Sequence, residues 1–577
     1  MKRYIFDIET NGLLTDATKV HCIVMYDIDK GELLHLSNEA AVKKLTKADL
    51  IVGHNIIKFD IPVLKKFYNF KPRGKAFDTI IATRLLFPDI RDSDFKRKDF
   101  PPKLIGRHSL ESWGHRIGTY KAHIETDWSE FTAEMLAYCK QDVLVNSGLY
   151  NAIEKKGYSQ AAMDLEHEVA SIIFRQEQHG FMFDLNKATK LFSTLNARRF
   201  EIEDELQELF QPIIKETPFT PKVNNKSRGY VKGEVFIKKE TVTFNPSSRQ
   251  HVAERFKDVY GWKPKEFTPD GKPKVDDVVL SKLNYPAAKL LAEHFLLDKR
   301  IAQLATGNQA WLKLETGGKL HGTCNTNSTV TARASHAYPN LAQVPSIHAP
   351  YGKECRELFT VPTGKKLVGI DVSGLEVRML AHYMARFDDG EYTKVVLEGD
   401  IHTETQTLAG LDSRDLAKRF YYCFLYGGGV KKIAEVTGKT VKEAGQVKKR
   451  FLNNLPALNK LIEQVQSTSA KGYLKGIDGR QIKVRSPHSA LNTLLQSAGA
   501  IVCKKWLVEF DRLIKPYTDV QQVVWVHDEI QVQVNAEWAD IIGDKAVEAI
   551  TNVGKELNLR IPLTGEFKIG NNWSETH

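Results

Sequence analysis

The stretch "RDLAKRFYYCFLYGGG", residues 414–429, places two cations ahead of a cluster of aromatic side chains. Arg414, Lys418, Tyr422 and Tyr426 recur every four residues. On an α-helix each step of four drifts by only about 40°, so the four side chains share one stripe of a helix predicted over 414–429. A stripe facing a core would be aliphatic, and a solvated stripe would need no pair of phenols. The pattern indicates a helix face that meets a ligand with charged and flat parts.

The bulk composition describes a globular protein with several domains. The chain has 577 residues, of which 42% are hydrophobic and 27% are charged. It contains no run of about 18 apolar residues, so no membrane partner is expected. The start, "MKRYIFDIET", lacks the long apolar core of a secretory signal, and no targeting signal is expected.

The cysteines and the net charge indicate the redox compartment of the protein and the kind of partner it binds. Six cysteines stand singly, with no CxxC pair, which favours a reducing compartment and argues against a disulfide framework or a zinc site. The formal net charge of +11 suggests a polyanionic partner, although many basic proteins bind none.

The hydrophobic patterns divide the chain into regions. Strands alternate with helices over residues 1–150, and helical periodicity follows from about 160 to 210. Residues 212–240 are rich in Pro, Gly, Asn and Lys and are predicted to form a loop or small insertion. Helices resume near 247 and around 286–314. A second α/β region starts near 320 and is interrupted by a helical block at about 402–475.

A first set of carboxylates lies near the N-terminus. Asp7 and Glu9 are two apart on a predicted strand and therefore point to one face. Asp60 ends "GHNIIKFD", and Tyr138 and Asp142 are four apart on a predicted helix. Four carboxylates and a phenol suit two Mg²⁺ or Mn²⁺ ions that activate water in phosphodiester hydrolysis. Taken singly, each acid could also be a solvated loop or strand-end residue.

The three motifs DxE, NxxxFD and YxxxD occur here in that order, and they resemble the DEDD-class proofreading 3′–5′ exonucleases that carry a tyrosine. The resemblance implies an RNase H-like domain with Asp7, Glu9, Asp60 and Asp142 as metal ligands. It also implies that Tyr138 orients the attacking water. No acid departs from the pattern, so an active exonuclease is expected.

A second pair of carboxylates lies in the C-terminal half. Asp371 ends the apolar strand of "LVGIDVSGLEVR", and Asp528 stands at the turn of "VVWVHDEIQV". Such a pair could bridge two Mg²⁺ ions, one acting on a 3′-hydroxyl and the other on a triphosphate. An Asp at a strand end can also be a simple turn or helix cap. The helix of the opening stretch favours the metal site, because Arg414 and Lys418 can meet the phosphates of a nucleotide and Tyr422 can stack beside its sugar and base.

Five stretches carry a resemblance to the family A DNA polymerases. The spacing R-x3-K-x3-Y-x3-YG resembles that of the fingers helix. Asp371 with Glu376 resembles the first palm motif of the family, and "VHDE" resembles its third motif. Residues 331–345, "TARASHAYPNLAQVP", resemble the segment that holds primer-template, and "LNTLLQSAGA" the helix that carries Asn492 and Gln496. "GIDVSGLEVRMLAHYMARFDDGEY", "FNPSSR" and "GNNWSETH" are similar to the replicative polymerases of T-odd podophages.

The resemblance implies a role for each matching residue. Two Mg²⁺ ions per active site, for which Mn²⁺ can substitute, would be held by Asp371, Asp528 and the carbonyl of Val372. The triphosphate would be gripped by Arg414, Lys418 and His402, with Lys418 as proton donor to pyrophosphate. Tyr426 would guard the templating position, and Glu529 would sit close to the metals. The primer-template would be contacted by Arg333, Asn492, Gln496 and His527. Glu376, bonded to the Tyr422 hydroxyl, would reject a 2′-hydroxyl beneath the sugar.

The resemblance also implies an α/β multidomain architecture. An RNase H-like 3′–5′ exonuclease domain at 1–155 would precede a right-hand polymerase. Its parts would be the thumb with connecting helices at 156–318, the palm at 319–401 and 479–577, and the fingers at 402–478.

The implied function is replicative, DNA-templated DNA synthesis with proofreading in the cytoplasm of an infected bacterium. The implied partners are primer-template DNA, dNTPs, a helicase-primase and a single-strand-binding protein. A single-subunit RNA polymerase is an alternative, which Glu376 and the exonuclease motifs disfavour. A non-catalytic nucleic-acid-binding relative is another, which the six retained metal-site acids disfavour.

Two positions depart from the family pattern, and one segment is shorter than in relatives. Ala332 and Cys423 stand where the family usually has Gly, which leaves the packing of the nucleotide pocket open. Podophage enzymes of this type often carry a long thumb insertion that captures a host thioredoxin, whereas 212–240 is short. We therefore expect weak or no thioredoxin dependence. The lysines of this segment could track the DNA backbone or form a solvated loop.

Overall fold

The structure is a computed structural model that describes residues 1–577, and the chain divides into two compact units. Unit 1 comprises Met1–Phe181, His321–Val344 and Thr360–His577, and unit 2 comprises Met182–Leu320 and Pro345–Phe359. None of the helices combines the length and the hydropathy that a membrane span needs.

Unit 1 begins with a five-stranded mixed sheet of strand order β3-β2-β1-β4-β5. The strands are β1 (Arg3–Thr10), β2 (Val20–Asp27), β3 (Glu32–His35), β4 (Leu50–Gly53) and β5 (Lys75–Asp78). Strand β1 pairs antiparallel with β2 and parallel with β4. Its even-numbered residues Tyr4, Phe6 and Ile8 enter one hydrophobic core, and Ile5 enters a second core on the opposite face. Asp7 and Glu9 share the face of Ile5 because side chains alternate along a strand.

Seven helices accompany this sheet. They are α1 (Asn38–Thr46), α2 (Asp60–Tyr68), α3 (Thr79–Leu86), α4 (Ile90–Asp94), α5 (Leu110–Ile117), α6 (Ala133–Lys156) and α7 (Gln160–His179). Helix α6 begins where the Thr132 side chain accepts a hydrogen bond from Met135 N, and it ends before Gly157, which has a φ of +70°. Cys139 and Val143 of α6 join the core that contains Ile5, so α6 covers the face that carries Asp7 and Glu9.

Unit 2 is built mainly from helices, with a β-hairpin between two of them. Its elements, with β6 starting at the unit boundary, are β6 (Phe181–Phe183), α8 (Leu185–Leu209), β7 (Ile213–Phe219), β8 (Phe236–Val242), α9 (Arg249–Tyr260), α10 (Asp277–Leu280), α11 (Pro286–Ile301), α12 (Trp311–Leu314), β9 (Glu315–Thr316) and β10 (Lys319–Leu320). Of the two predictions for 212–240, a loop or a small insertion, the loop was wrong, because β7 and β8 pair antiparallel from Ile213–Val242 to Phe219–Phe236. The two strands read IIKETPF and FIKKETV, with the polar residues grouped in the middle of each and almost every residue exposed, so they lack the alternation of polar and apolar residues that predicts a strand.

The rest of unit 1, with a few residues of unit 2, follows in chain order. Its strands are β11 (Thr323–Asn325), β12 (Ser335–Ala337), β13 (Phe359–Thr360), β14 (Lys365–Val372), β15 (Tyr473–Lys475), β16 (Gln481–Lys483), β17 (Gln521–Val526), β18 (Glu529–Asn535) and β19 (Gly565–Gly570). Its helices are α13 (Gly352–Arg356), α14 (Leu375–Met384), α15 (Glu391–Glu398), α16 (Ile401–Ala409), α17 (Arg414–Leu425), α18 (Val430–Thr437), α19 (Val441–Asn453), α20 (Pro456–Ser469), α21 (Ala490–Ile514) and α22 (Ala539–Glu556).

A four-stranded antiparallel sheet of order β17-β18-β14-β19 forms the centre of this region. In its register Asp371 of β14 lies opposite Glu529 of β18 and Glu566 of β19. The large core beside the sheet takes residues from α14, α17, α21 and α22. The sheet thus brings two segments that are far apart in sequence to one edge.

Helix α17 is shorter than the sequence predicts. It ends at Leu425, and Tyr426 is the residue that caps its C-terminus, with φ −79° and ψ 13°. Gly427 follows with a φ of +77°, a conformation that terminates a helix and that glycine adopts without strain. The predicted helix over 414–429 was therefore too long by four residues, and Tyr426 lies just beyond its last turn.

Candidate functional site

Four carboxylates of the N-terminal sheet converge on the face covered by α6. Asp7 and Glu9 come from β1, Asp60 begins α2 and Asp142 lies on α6. Burial, reinforced by the charge of Asp142, raises the pKa of Asp7 to about 7. Burial and the charge of Asp7 raise the pKa of Glu9 to about 9. A cation bound among these crowded carboxylates would relieve their mutual repulsion, so the cluster fits a cation site.

The unsatisfied oxygens of this cluster are suited to hard divalent ions. Asp60 and Asp142 are 3% and 4% exposed, and the Oδ1 atom of each is buried without a hydrogen-bond partner. Ligand atoms of Asp7, Glu9 and Cys139 also lie within 4.8 Å of one another. Since Mg²⁺ prefers oxygen ligands, the carboxylates fit the ion and the Cys139 thiol is a packing neighbour. The structure thus brings together all four predicted acids.

Lys121 enters this cluster, and the sequence analysis did not predict it. Its Nζ lies 2.5 Å from Asp142 Oδ2 and 4.6 Å from the centre of the Tyr138 ring. Burial opposes the ammonium charge, but Asp142 and the Tyr138 hydroxyl outweigh it and raise the pKa of Lys121. The stretch "GTYKAH" around Lys121 matches no motif, so its place in the cluster is visible only in the folded chain.

The second pair of acids meets at the end of the central sheet. Asp371 is near the end of β14, and Asp528 lies in the turn between β17 and β18. The backbone N–H of Val372 donates to the carbonyl oxygen of Asp528 at 3.1 Å, which ties the two segments together. Enclosure in a cleft and the charge of Asp528 raise the pKa of Asp371 to about 7. Burial and Glu376 raise the pKa of Asp528 to about 6, so this pair also fits a divalent cation.

Glu376 is held at this cleft by two partners. Arg333 Nη2 lies 2.9 Å from Glu376 Oε1, and the Tyr426 hydroxyl donates to the same oxygen at 3.4 Å. The expected bond from the Tyr422 hydroxyl was wrong. Because Tyr426 lies beyond the last turn of α17, its hydroxyl reaches Glu376, and the Tyr422 ring stacks on the Tyr426 ring at 6.3 Å.

The cation end of α17 is organised by Asp400. This residue caps α16, and its Oδ2 lies 2.6 Å from Arg414 Nε, so Arg414 holds the pKa of Asp400 well below its usual range. His402, two residues on, has its ring centre 5.7 Å from that of Tyr422. Burial and the charges of Arg414 and Lys418 lower the pKa of His402. The structure therefore gathers the predicted phosphate-binding side chains at one end of the helix.

Two of the four predicted DNA-contacting residues, Arg333 and His527, lie at the cleft of the second acid pair, whereas Asn492 lines a different cavity together with Gly427. Arg333, Glu376, His527 and Asp528 line one small cavity. On α21, Gln496 Nε2 donates to Asn492 Oδ1 at 2.9 Å.

The two residues that depart from the family pattern, Ala332 and Cys423, have different surroundings. Ala332 has a φ of +62°, the left-handed conformation that costs a non-glycine residue about 1 kcal/mol and that the glycine expected from the family pattern would adopt without strain. The carbonyl oxygen of Cys423 accepts from Gly428 N at 2.8 Å. Cys423 is partly exposed, whereas the other five cysteines are buried.

Glu529 is fixed by the C-terminal segment. Its carboxylate accepts from Trp573 Nε1 at 2.5 Å and from Gln531 Nε2 at 2.7 Å, and it lies 2.9 Å from His577 Nδ1. The family resemblance predicts Glu529 close to the metals, but no motif predicts Trp573 or His577 as its partners. Their distance in sequence from the turn explains the omission.

Comparisons with known proteins bear on both clusters. Residues 224–575 match the model of DNA polymerase family A, and residues 4–154 match the RNase_H superfamily model. DNA-directed DNA polymerases of Escherichia phage T7 and Enterobacteria phage T3 are each 36% identical over 703 residues, which is 99% of this chain and 100% of each relative.

A solved structure supports the same fold. The POL domain of Pol1 from M. smegmatis, in a complex with DNA primer-template and dNTP, superposes with a TM-score of 0.76 at 18% identity. The alignment covers 99% of this chain and 96% of that one.

Proposed function

This chain belongs to DNA polymerase family A and carries an RNase H-like domain, and on that premise we propose which residues perform its two reactions. It is a DNA-directed DNA polymerase with an exonuclease domain, and its full-length relatives argue against an RNA polymerase or a scaffold. We assign synthesis to the cleft of Asp371 and Asp528, and proofreading to Asp7, Glu9 and Asp60 with Asp142. One observation carries this assignment: the chain holds two separate carboxylate clusters, each with raised pKa values that divalent cations would relieve.

The domain assignment is part of the proposal. The exonuclease domain spans 1–155, the thumb with connecting helices 156–318, the palm 319–401 and 479–577, and the fingers 402–478. The RNase_H match at 4–154 and the separation of Met182–Leu320 into unit 2 support it.

In the synthetic site the protein's own groups bind and orient the nucleotide. The divalent ions, which we take to be Mg²⁺ with Mn²⁺ as a substitute, would be held by Asp371, Asp528 and the Val372 carbonyl and supply charge neutralisation for phosphoryl transfer. Arg414 exchanges its Asp400 partner for the triphosphate, and His402 and Lys418 complete the grip. Lys418 Nζ donates a proton to the leaving pyrophosphate.

Base pairing and sugar selection depend on the other end of α17. Tyr422 stacks beside the incoming sugar and base, and Tyr426 covers the templating position while its hydroxyl stays on Glu376. Glu376 fills the space beneath the sugar and excludes a 2′-hydroxyl. The remaining contacts, to the primer-template, come from Arg333, Asn492, Gln496 and His527.

In the exonuclease site Tyr138 orients the attacking water. Its ring lies against Lys121, and burial raises the pKa of the phenol, so the hydroxyl keeps its proton and remains a donor. Divalent ions on the four acids would supply water activation and leaving-group stabilisation.

The cellular partners follow from the phage relatives. We propose that the enzyme works in the cytoplasm of an infected bacterium with a helicase-primase and a single-strand-binding protein. Hairpin β7–β8 is short, which supports weak or no dependence on thioredoxin. Primer extension with and without host thioredoxin tests this point, and a large gain in product length would contradict it.

Primer extension and primer degradation with Mg²⁺ test the assignment of the two sites. Asp528→Ala should abolish synthesis and leave degradation intact, and Asp7→Ala should do the reverse. Asp544→Ala, which removes an exposed acid of α22, serves as the matched control and should change neither. Loss of both activities in either site variant would refute the separation of the sites.

A further inference from the structure

Two buried cysteines stand beside the N-terminal carboxylates, on the sheet face that helix α6 covers. Cys22 lies opposite Glu9 in the antiparallel pairing of β1 and β2, so their side chains share a face of the sheet. Cys139 comes from α6, three residues before Asp142, which puts both side chains on one side of the helix. The exposed fractions of Cys22 and Cys139 are 2% and 0%, and both are free thiols. Neither thiol takes part in either proposed reaction.

The Cys139 sulfur lies within coordination reach of two of the acids. Cys139 Sγ is 3.8 Å from Asp7 Oδ2, and ligand atoms of Asp7, Glu9 and Cys139 all lie within 4.8 Å of one another. In a tetrahedral site with a metal–sulfur distance of about 2.3 Å and a metal–oxygen distance of about 2.1 Å, the sulfur and oxygen ligands are about 3.6 Å apart. The three side chains are therefore spaced as ligands of a single cation.

The neighbours of this trio leave room for a cation and support the sulfur. Lys121 forms its ion pair with Asp142, not with Asp7 or Glu9, so a cation can reach those two acids without displacing it. The Cys22 and Cys139 thiols are in hydrogen-bond contact. A thiol that donates to a metal-bound sulfur orients that ligand and spreads its negative charge.

The donor types decide which cation the trio selects. Mg²⁺ binds oxygen ligands, so toward Mg²⁺ the Cys139 side chain is only a packing neighbour. A thiolate instead favours softer ions such as Zn²⁺ and Cd²⁺, which also accept carboxylate oxygens. The lack of a CxxC pair argues against a zinc site in the sequence, but these ligands come from β1 and α6 and form no short motif.

We propose that Asp7, Glu9 and Cys139 form a binding site for a thiolate-preferring divalent cation, Zn²⁺ or Cd²⁺. Binding releases the Cys139 proton, because the thiolate and not the thiol is the ligand. This inference rests on the proposed function in one respect, since the bound ion would occupy two acids that proofreading requires. Electron donation from sulfur reduces the positive charge available to activate water, so the ion should inhibit degradation and not replace Mg²⁺.

Ultraviolet absorbance tests the ligation directly. The full chain, freed of metal with EDTA and kept reduced, is titrated with Cd²⁺, and the thiolate-to-metal charge-transfer band is recorded. Wild type should develop this band to saturation at a single equivalent, and Cys139→Ser, which keeps a hydrogen-bond donor beside Asp7, should lose it. Cys355→Ser removes a buried cysteine of unit 2 and should behave as wild type. A band of equal size in the Cys139→Ser protein would overturn the proposal.

Competition with Mg²⁺ shows whether the carboxylates share the ion. Because Asp7 and Glu9 bind both kinds of cation, excess Mg²⁺ should shift the Cd²⁺ titration to higher concentrations. Asp7→Asn should weaken Cd²⁺ binding at least about tenfold, about 1.4 kcal/mol. A titration that neither Mg²⁺ nor Asp7→Asn alters would place the ion on a thiol alone, and the three-ligand site would then be wrong.

Primer degradation separates this site from the assignment of the exonuclease. Zn²⁺ added to the Mg²⁺ reaction should inhibit wild type, and Cys139→Ser should need at least about tenfold more Zn²⁺ for the same fractional loss. Each protein is compared with its own activity in Mg²⁺ alone, and equal sensitivity of the two would contradict the role of the thiolate. A wild type that degrades nothing in Mg²⁺ would refute the proposed function, and the Cd²⁺ band would still decide the ligation.

Discussion

Tyr422 stands between His402 and Tyr426 on the face of α17, with ring centres 5.7 Å and 6.3 Å away. Burial and the nearby charge of Glu376 raise the pKa of its phenol, so the hydroxyl remains a hydrogen-bond donor at neutral pH. A hydroxyl beside the nucleotide can stand in for the missing 3′-hydroxyl of a dideoxynucleotide. We expect the enzyme to accept dideoxy terminators readily and Tyr422→Phe to reject them by at least about a hundredfold, about 2.7 kcal/mol. The ratio of kcat/KM for dideoxy- and deoxynucleotides measures this, and equal ratios in both proteins would refute it.

Substitution of Glu376, which contacts Arg333 and Tyr426, tests how the enzyme selects the sugar. Glu376→Ala opens the space beneath the sugar, so ribonucleotide use relative to deoxynucleotide use should rise at least about tenfold. Glu376→Gln keeps the bulk and loses the charge pair with Arg333, and it should keep most of the selectivity. A rise of the same size in both variants in single-turnover incorporation would show that the charge, and not the bulk, selects the sugar.

Lys121 supplies positive charge within the N-terminal carboxylate cluster, the proposed exonuclease site. Since its ammonium neutralises Asp142, it competes with a divalent ion for the same oxygen. Lys121→Met should bind Mn²⁺ at least about fivefold more tightly, as expected for the loss of about 1 kcal/mol of competing charge. It should also unfold at a lower temperature in EDTA. Calorimetric titration measures the affinity, with Lys140→Met on the same helix as Asp142 as the control. Unchanged affinity would contradict the competition.

Prediction from sequence succeeded for residues whose role depends on local spacing. Asp7 and Glu9 share a strand face because side chains alternate along a strand. Arg414, Lys418 and Tyr422 share a helix face because the helix repeats about every 3.6 residues. It failed for Lys121 and for the partner of Glu376. These depend on which distant segments the fold brings together, and a single sequence does not encode that in any short pattern.

At the scale of elements, strong periodicity was a good guide and weak periodicity was not. Helices α6, α7 and α8 and strands β1, β14 and β18 lie where the sequence predicts them, since each has a continuous apolar face. Strand β19 was missed because Glu566 and Lys568 leave few apolar residues in it, and the sheet supplies its stability through pairing with β14. The hairpin β7–β8 was missed because it has no buried face at all.

A buried charge quartet connects α7, the β15–β16 turn and α21. Glu166 Oε1 lies 2.6 Å from Lys504 Nζ and 2.6 Å from Arg480 Nη1, and Arg480 Nη2 lies 2.6 Å from Asp478 Oδ2. Burial lowers the pKa of Lys504 to about 8, although Glu166 opposes the shift. The quartet is neutral overall, so loss of one member leaves an unpaired buried charge.

Lys504→Met should therefore lower the free energy of unfolding by about 3 to 5 kcal/mol. Adding Glu166→Gln should cost less than the sum of the two single changes, because Asp478 and Arg480 remain paired. Arg512→Ala, which removes a half-exposed pair with Glu509, should cost less than about 1 kcal/mol. The first unfolding transition in urea provides the measurement, and additive effects would contradict a coupled network.

At the scale of the whole molecule, carboxylates of like charge are crowded together at two sites. In the absence of metal the pKa values of Asp7 and Asp371 are raised to about 7, that of Glu9 to about 9 and that of Asp528 to about 6. Each acid therefore binds its proton more tightly when folded than when unfolded, and these groups lower the stability as pH rises from about 4 to about 9.

Divalent ions should restore the folding stability that ionisation of these carboxylates removes. The gain in melting temperature on adding Mg²⁺ should be small near pH ~5.5 and should grow by several degrees toward pH ~8.5. Thermal denaturation with Mg²⁺ or EDTA across this range measures it. The variant Asp7→Asn/Glu9→Gln should lose the part of the gain that comes from the exonuclease cluster. A metal effect that is independent of pH would contradict the shifted pKa values.

Cys423 offers a spectroscopic handle on helix α17. Five thiols are buried and Cys423 is partly exposed, directly beside Tyr422. A maleimide dye should therefore label one position without removal of the other cysteines, most readily at mildly alkaline pH, where the thiolate forms despite the burial that raises its pKa. Its fluorescence would report, in real time, when a matched nucleotide settles against the helix.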